Sequence, residues 1–404
     1  MKNIYKINKL YDQIKEEKLM ADLISLAGKE GFRPRLEHLK DLLSAEISKI
    51  ESSGCEVVVI AGTNGKGEAA HGLKYLLEES GSSVSLWSSP HVLTILERLY
   101  INGHYLSYER LEGLFNQDKS TISEEGLSFY EMLFYIFLKE CANDISDFVI
   151  LEVGLGGRFD GVNVFNNPLT AITSISLDHT QILGNTLKKI LFEKYGVTRN
   201  GGRLISGVEQ KHLNETLTTW CERDSISLDI LKFKNNENYS QRNQRMSLEL
   251  FKELTGECFN GELRWPLTKG RRERVTFHNR DFIFIGAHNL DGHRKMLQMI
   301  KDEDEASKDD VLVLSFSTGR EDQIKSILDL YQTYPCLFTS KYLTAFSGER
   351  SICSDDLKSY LKEGYDFLED WNYLLNDQYK NKKIYITGSY FFISEVQKYF
   401  NMFT

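Results

Sequence analysis

The chain has 404 residues, of which 41% are hydrophobic and 26% charged, and its net charge is −9. That length suggests two or three domains with a large core, and the acidic balance disfavours a nucleic-acid binder with a dominant basic surface. The six cysteines, Cys55, Cys141, Cys221, Cys258, Cys336 and Cys353, show no CxxC spacing, which argues against a zinc cluster or disulfide framework and fits a reducing cytoplasm. No apolar run reaches the length of about eighteen residues that a membrane span needs. The opening MKNIYKINKLYDQIKEE is polar and helix-like, unlike a secretory leader.

Short apolar runs alternate with helical stretches in the first part: CEVVVIAG, SSVSLWSS, DFVILEVG and TAITSI. The alternation predicts βαβ units on a mostly parallel sheet, with ligand loops at the carboxyl ends of strands 57–61, 148–153 and 171–176. Residues 57–72, VVVIAGTNGKGEAAHG, read as a strand, a glycine turn and the start of a helix. This layout suits a nucleotide: Gly62 and Gly65 admit backbone N–H groups to phosphate oxygens, the helix start adds its positive dipole end, and Lys66 adds a point charge. The spacing is not the Walker form, because two residues separate Gly62 from Gly65, and Gly67 and Glu68 follow Lys66. A bare glycine turn is the alternative. The run LSFYEMLFYIFLKEC predicts a helix whose aromatic stripe packs in the core.

Residues 232–263 are polar and weakly patterned, with NNENYSQRNQ the least ordered in character. A second α/β pattern then begins, with strand-like runs RDFIFIGAHN, DVLVLSFST, CLFTS and KIYITGS. We therefore expect domains 1–269 and 270–404, and read KDEDEASKDD at 301–310 as a solvated loop.

Seven ordered segments resemble the folylpolyglutamate synthase and dihydrofolate synthase family, a branch of the Mur ligases. GTNGKG at 62–67 is similar to its GTNGKGS loop, SSPHVLTILERLYING at 88–103 to TSPH…ERI.ING, and EVGLGGRFDGVNV at 152–164 to EVGLGGRLDATN. TSISLDHTQILGNTLKKILFEKYGV at 173–197 matches the block carrying a DH pair and an EK-G element. GRRE at 270–273, GAHN at 286–289 and ITGSYFFISEV at 386–396 are similar to GRLE, DGAHN and TGS. The resemblance implies an α/β architecture: a parallel-sheet, P-loop-type N-terminal ATPase domain and a smaller Rossmann-like α/β C-terminal domain. It also implies ATP- and Mg2+-dependent addition of L-glutamate to a folate or pteroate-like acid through an acyl phosphate. A cytoplasmic monomer without nucleic-acid or membrane partners is the corresponding expectation.

Residue by residue, the resemblance assigns Gly62, Thr63, Asn64, Gly65, Lys66 and Gly67 to the nucleotide, joined by Asn243 near the adenine and by Arg271, His288 and Asn289 of the second domain. Glu152 and His179 fall on metal ligands, and Lys194 on a lysine that the family carbamylates, which converts a cation into an anionic oxygen ligand. Lys66, His179 and Lys194 are thus the candidate catalytic residues, and Ser89, Pro90, His91 and Asp160 the candidate substrate residues. Alternatives stay open on the residues alone. Glu152 could be a strand-end salt-bridge partner, His179 a structural histidine and Lys194 a surface lysine. Arg271 with Lys269, Arg272 and Arg274 could be a solvated basic turn.

The chain departs from the family pattern in several places. Glu68 stands where the family has a Mg2+-binding Ser or Thr, so it is either a carboxylate metal ligand or a charge repelling ATP. Ile285 replaces the Asp of DGAHN, Gly161 replaces an Ala, and GFRPRLEHLKDLL replaces the usual opening. Three readings follow: a folate-directed glutamate ligase, a ligase joining another acid to an amino acid, and a non-catalytic paralogue with a binding or regulatory role.

Overall fold

The structure, a computed structural model, describes residues 7–27, 35–234, 236–266, 268–302 and 306–402. The chain forms two compact units, one of Lys9–Pro266 and one of Met1–Asn8 with Leu267–Thr404. Leu267, beside the expected boundary at 269, lies outside the described residues, as do 31–34 of the altered opening and 303–305 of the acidic run.

The first unit is built on eight strands: β1 (Glu56–Ala61), β2 (Val84–Trp87), β3 (Leu99–Ile101), β4 (His104–Tyr105), β5 (Phe148–Glu152), β6 (Leu169–Ile172), β7 (Arg203–Ser206) and β8 (Ser227–Ile230). Their order is β4-β3-β2-β5-β1-β6-β7-β8. The six strands from β2 to β8 in that order are parallel, and β3 and β4 close one edge as antiparallel additions. The β-branched run of β1 is buried on both faces, as a central parallel strand requires. Its side chains alternate: Val57, Val59 and Ala61 join one core with the helix Phe129–Asn143, while Val58 and Ile60 join another with the helix Lys66–Glu79. Successive connections leave β1 toward β2 and β5 on one side and reach β6 on the other. Its carboxyl end is therefore a topological switch point, where such sheets bind ligands.

The second unit holds β9 (Arg271–Phe277), β10 (Arg280–Ile285), β11 (Val311–Leu314), β12 (Ser340–Thr344), β13 (Asp366–Leu368) and β14 (Lys383–Thr387), in the order β13-β12-β11-β14-β10-β9. The edge strand β9 is antiparallel to β10, and the remaining pairings are parallel.

Two expectations are corrected. CLFTS is not a strand: pairing begins at Ser340, because Phe338 takes a positive φ of 56° and turns its ring into the core against Tyr385. Within the weakly patterned stretch 232–263, Tyr239–Thr255 is a helix. A capping box between Asn238 and Gln241 starts it, and it buries Asn243, Met246, Ser247, Leu250 and Phe251 at helical spacing. The acidic run is exposed to solvent at Lys301, Asp302, Ser307, Lys308 and Asp309, while Ala306 and Asp310 are buried and Asp310 accepts the Ser307 N–H at 2.8 Å. The predicted aromatic helix runs Phe129–Asn143, capped by Ser128 with Glu131. No described helix is long and apolar enough to cross a membrane.

Candidate active site

The loop after β1 adopts a phosphate-cradle conformation. Gly62 has φ 148° and Gly65 φ 95°, and Gly65 caps the helix Lys66–Glu79, so that helix's N-terminal N–H groups open at the loop. Gly62 is also required by space, because a Cβ there would stand 1.9 Å from Thr173 Oγ1. The segment after β6 holds the loop in place. Thr63 N–H donates to Ser174 O (2.8 Å) and Asn64 N–H to Ser174 Oγ (3.1 Å). Thr173 Oγ1 donates to Asn64 O at 2.7 Å, and Ser176 N–H to Thr63 Oγ1 at 3.1 Å. Lys66 folds its ammonium onto the loop's own Gly62 carbonyl at 3.0 Å and Thr63 carbonyl at 3.3 Å. Gly67 is buried in the first helical turn.

Glu152 ends β5, the strand on the other side of β1 from β6. It is buried and accepts the Ser89 N–H at 3.1 Å, which ties the candidate substrate loop to the sheet edge. That loop carries a cis Ser89–Pro90 bond. Its His91 accepts at Nδ1 from Arg98 Nε at 3.0 Å, which leaves the proton of a neutral imidazole on Nε2. Two buried carboxylates shape the same segment: Glu97, which lies within the ERLYING motif without an assigned role, and Glu16, which lies outside every motif. Glu97 accepts N–H groups of Val92 (3.1 Å), Leu93 (2.6 Å) and Thr94 (2.9 Å). Glu16 accepts Thr94 Oγ1 (2.8 Å), Ile95 N–H (3.0 Å) and Tyr108 OH (2.9 Å).

The glycine-rich loop after β5 folds around Asp160, whose carboxylate accepts Leu155 N–H (2.8 Å), Val162 N–H (3.1 Å) and the Tyr130 hydroxyl (3.0 Å). Tyr130 in turn accepts Trp87 Nε1–H at 3.1 Å. Burial raises the Asp160 pKa against the opposing pull of these hydrogen bonds. Asp160, expected to meet substrate, thus organises its own loop here. Arg158 pairs through both its Nε and Nη2 with Glu193 (3.3 and 2.8 Å), while Asn163 Nδ2 donates to Arg158 O and Gly196 O, each at 3.0 Å. These contacts join the GLGGRFDGVN loop to the end of the helix Leu187–Tyr195, which carries Lys194. Lys194 is 4% exposed and is no surface lysine. Burial first, and the charge of Lys66 second, push its pKa well down, while Asp160 and Glu193 pull the other way.

His179 sits at φ 47° after β6 with its side chain partly exposed, and its backbone N–H donates to the buried Asp178 carboxylate at 2.8 Å. Glu152, the phosphate loop and the Asp178–His179 turn therefore lie at the carboxyl ends of three adjacent strands. Among the described residues, no group of three His, Cys, Asp or Glu side chains converges on a metal position. Glu68, expected as a fourth ligand, is engaged elsewhere: its Oε1 accepts Ser240 Oγ at 2.5 Å and its Oε2 accepts Asn243 Nδ2 at 2.8 Å. Asn243, expected at the adenine, is buried with its amide donating to Glu68.

In the second unit the GRRE, GAHN and TGSY segments meet. Arg271 lies over the Tyr390 ring at 5.6 Å, and His288 packs against the same ring at 5.7 Å between centroids. A Cβ on Gly286 would stand 2.2 Å from that ring. His288 Nδ1 lies 3.1 Å from Gly286 O, and Asn289 is buried with its Oδ1 accepting Gly292 N–H at 2.7 Å, a helix-capping bond. Ile285, in place of an acid, joins the apolar core. The basic turn is not merely solvated. Lys269 is buried in an ion pair with Glu273 at 2.7 Å, and Glu273 also accepts Gly270 N–H at 3.1 Å and Gln397 Nε2 at 2.5 Å.

The chain is 28% identical to the Bacillus subtilis (strain 168) dihydrofolate synthase/folylpolyglutamate synthase, over 92% of this chain and 96% of that protein. Its fold is similar to that of E. coli FolC in complex with DHPP and ADP, with TM-score 0.81, 22% identity and coverage of 95% and 98% of the two chains. It is likewise similar to the bifunctional folylpolyglutamate synthase/dihydrofolate synthase from Yersinia pestis complexed with AMPPNP and Mn ion, with TM-score 0.78, 23% identity and coverage of 94% and 97%. No protein-family model matches the chain.

Proposed function

Because the chain belongs to the folylpolyglutamate synthase/dihydrofolate synthase family of the Mur ligase superfamily, we propose that it is an ATP-dependent ligase adding L-glutamate to a folate or dihydropteroate. In this reading residues 1–269 form the ATP-binding domain and 270–404 the C-terminal ligase domain, and the protein is a cytoplasmic monomer. The observation that carries it is the arrangement at the carboxyl ends of β5, β1 and β6: Glu152, the Lys66 loop and the Asp178–His179 turn side by side, with Lys194 buried within electrostatic reach of Lys66.

The residues fit the groups this chemistry needs. Gly62 and Gly65 at positive φ, with a 14-residue helix opening behind them, suit a triphosphate. A magnesium ion commonly takes one or two protein ligands and fills its shell with phosphates and water. Glu152 and His179, with a carbamate on Lys194 as the resemblance implies, would hold the ion. When bound, the ion neutralises charge on the γ-phosphate during transfer. Lys66 and the loop N–H groups hold the phosphates in line. The acid's carboxylate oxygen bonds to the γ-phosphorus as ADP leaves. The glutamate amine then bonds to the acyl carbon, inorganic phosphate leaves, and a proton passes from the amine.

Incubation with Mg·ATP, L-glutamate and a panel of pteroates and folates, followed by mass spectrometry, tests the proposal. It expects a gain of one glutamate on at least one of these acids. Phosphate release that occurs only with an unrelated acid would reject the folate assignment.

A further inference from the structure

We propose that Glu68 is a positioning residue, whose carboxylate ties the helix Tyr239–Thr255 to the phosphate loop and so stands apart from the metal. The inference rests on the nucleotide reading of that loop.

Ser240 and Asn243 are three residues apart and share one helix face. Each donates to a different oxygen of Glu68, at 2.5 and 2.8 Å. The contact continues along both helices. Asn243 Oδ1 lies 2.3 Å from the position a Cβ on Gly65 would take, so it is pressed against the loop itself. One helical turn on, Ser247 Oγ donates to Ala69 O at 3.0 Å and lies 2.4 Å from where a Gly72 Cβ would stand. Glycine and alanine thus bring the two helices close, and Glu68 is the charged member of that seam. Away from it, Arg242 pairs with Glu209 and Arg245 with Glu237, which hold the same helix to neighbouring segments.

The two donors occupy one lone pair on each oxygen and fix the direction of the carboxylate, so turning it away from Ser240 and Asn243 gives both bonds up. A hydrogen bond to a charged group is worth roughly tenfold or more in an equilibrium constant. With Glu68 so held, its carboxylate is directed at the helix Tyr239–Thr255, and the loop's shape, including the packing at Gly65, depends on the seam. The substitution of the family's hydroxyl by Glu68 then changes what the position does: it supports the loop from behind.

The test uses Ser240→Ala, which keeps the Glu68 charge and removes one of its donors at a half-buried position. ATP binding is measured by calorimetry with Mg2+ and in EDTA, and amide hydrogen exchange is followed over residues 239–247. The clamp predicts an affinity loss of roughly tenfold under both conditions, an unchanged Mg2+ enhancement, and faster exchange over 239–247. Unaltered metal-free binding with unaltered exchange would overturn it, as would a larger Mg2+ enhancement, which would mark Glu68 as a released metal ligand. Should the parent protein bind no ATP under either condition, the proposed function fails. The exchange rates alone then decide the clamp: faster exchange supports it and unaltered exchange overturns it.

Discussion

Gly157 lies directly against Lys194: a Cβ on Gly157 would stand 3.2 Å from Lys194 Cα and 2.9 Å from Glu193 O. The residue also sits at φ 154°, so an L side chain is excluded by conformation as well as by space. Gly157→Ala is expected to cost about 1–3 kcal/mol of stability and to displace Lys194. Urea unfolding and turnover, measured together, should both fall. Unchanged values would show that the loop can relax away from Lys194.

Lys66 is the loop's own cation, and its ammonium rests on the Gly62 and Thr63 carbonyls. Removing it leaves a half-buried position beside solvent rather than a core cavity, so Lys66→Ala should fold normally. Phosphate release should fall by about 10²-fold or more, as for loss of a group that meets developing charge. Retained turnover with an unaltered melting profile would dissociate Lys66 from the nucleotide.

The Ser89–Thr94 segment depends on a buried carboxylate. Glu97 accepts three consecutive backbone N–H groups, from Val92, Leu93 and Thr94. Glu97→Ala leaves those donors buried without their acceptor, at about 1–3 kcal/mol each at most. We expect a raised KM for the acid and a lowered Tm. A change in Tm alone would restrict Glu97 to stability.

His293 gives the second unit an acid-sensitive core. It is fully buried, its Nδ1 is 2.8 Å from the Tyr331 hydroxyl, and its Nε2 has no hydrogen-bond partner among the described residues. Burial pulls its pKa down to about 3, with the nearby His288 charge adding to the effect. In the unfolded chain a histidine titrates near 6.5. The unfolded state therefore binds a proton first as pH falls, and stability present above about pH 6.5 is lost progressively toward pH 3. Urea unfolding at stepped pH should show that slope, and His293→Phe should flatten it. An equal slope in the variant would place the acid sensitivity elsewhere.

How far the sequence speaks follows from where each constraint lies. The phosphate loop is legible because glycine at 62 and 65 is demanded by both φ and space, and the parallel sheet because β1 and β5 are continuous apolar runs. Lys194 is legible as a site residue only through resemblance, since its burial comes from the loop 154–163 folding over it. The role of Glu68 is hidden because its partners lie 172 and 175 residues further on. The helix that carries those partners escapes a hydrophobic-pattern reading for a related reason: Asn243 and Ser247 sit on its buried face. Glu16 looks like a surface acid, and Glu97 like a motif residue without a role, until the backbone N–H groups of 92–95 close on them. The start of β12 shifts because Phe338 takes a conformation that β propensity does not foresee.

In the proposed reaction this chain activates a carboxylate with ATP. This step is tested most directly by turnover with an acid acceptor labelled with 18O in its carboxylate, with Mg·ATP and L-glutamate. One labelled oxygen is expected in inorganic phosphate for each amide formed, because the acid's oxygen bonds to the γ-phosphorus and leaves with it. Amide formation that yields unlabelled phosphate would contradict it.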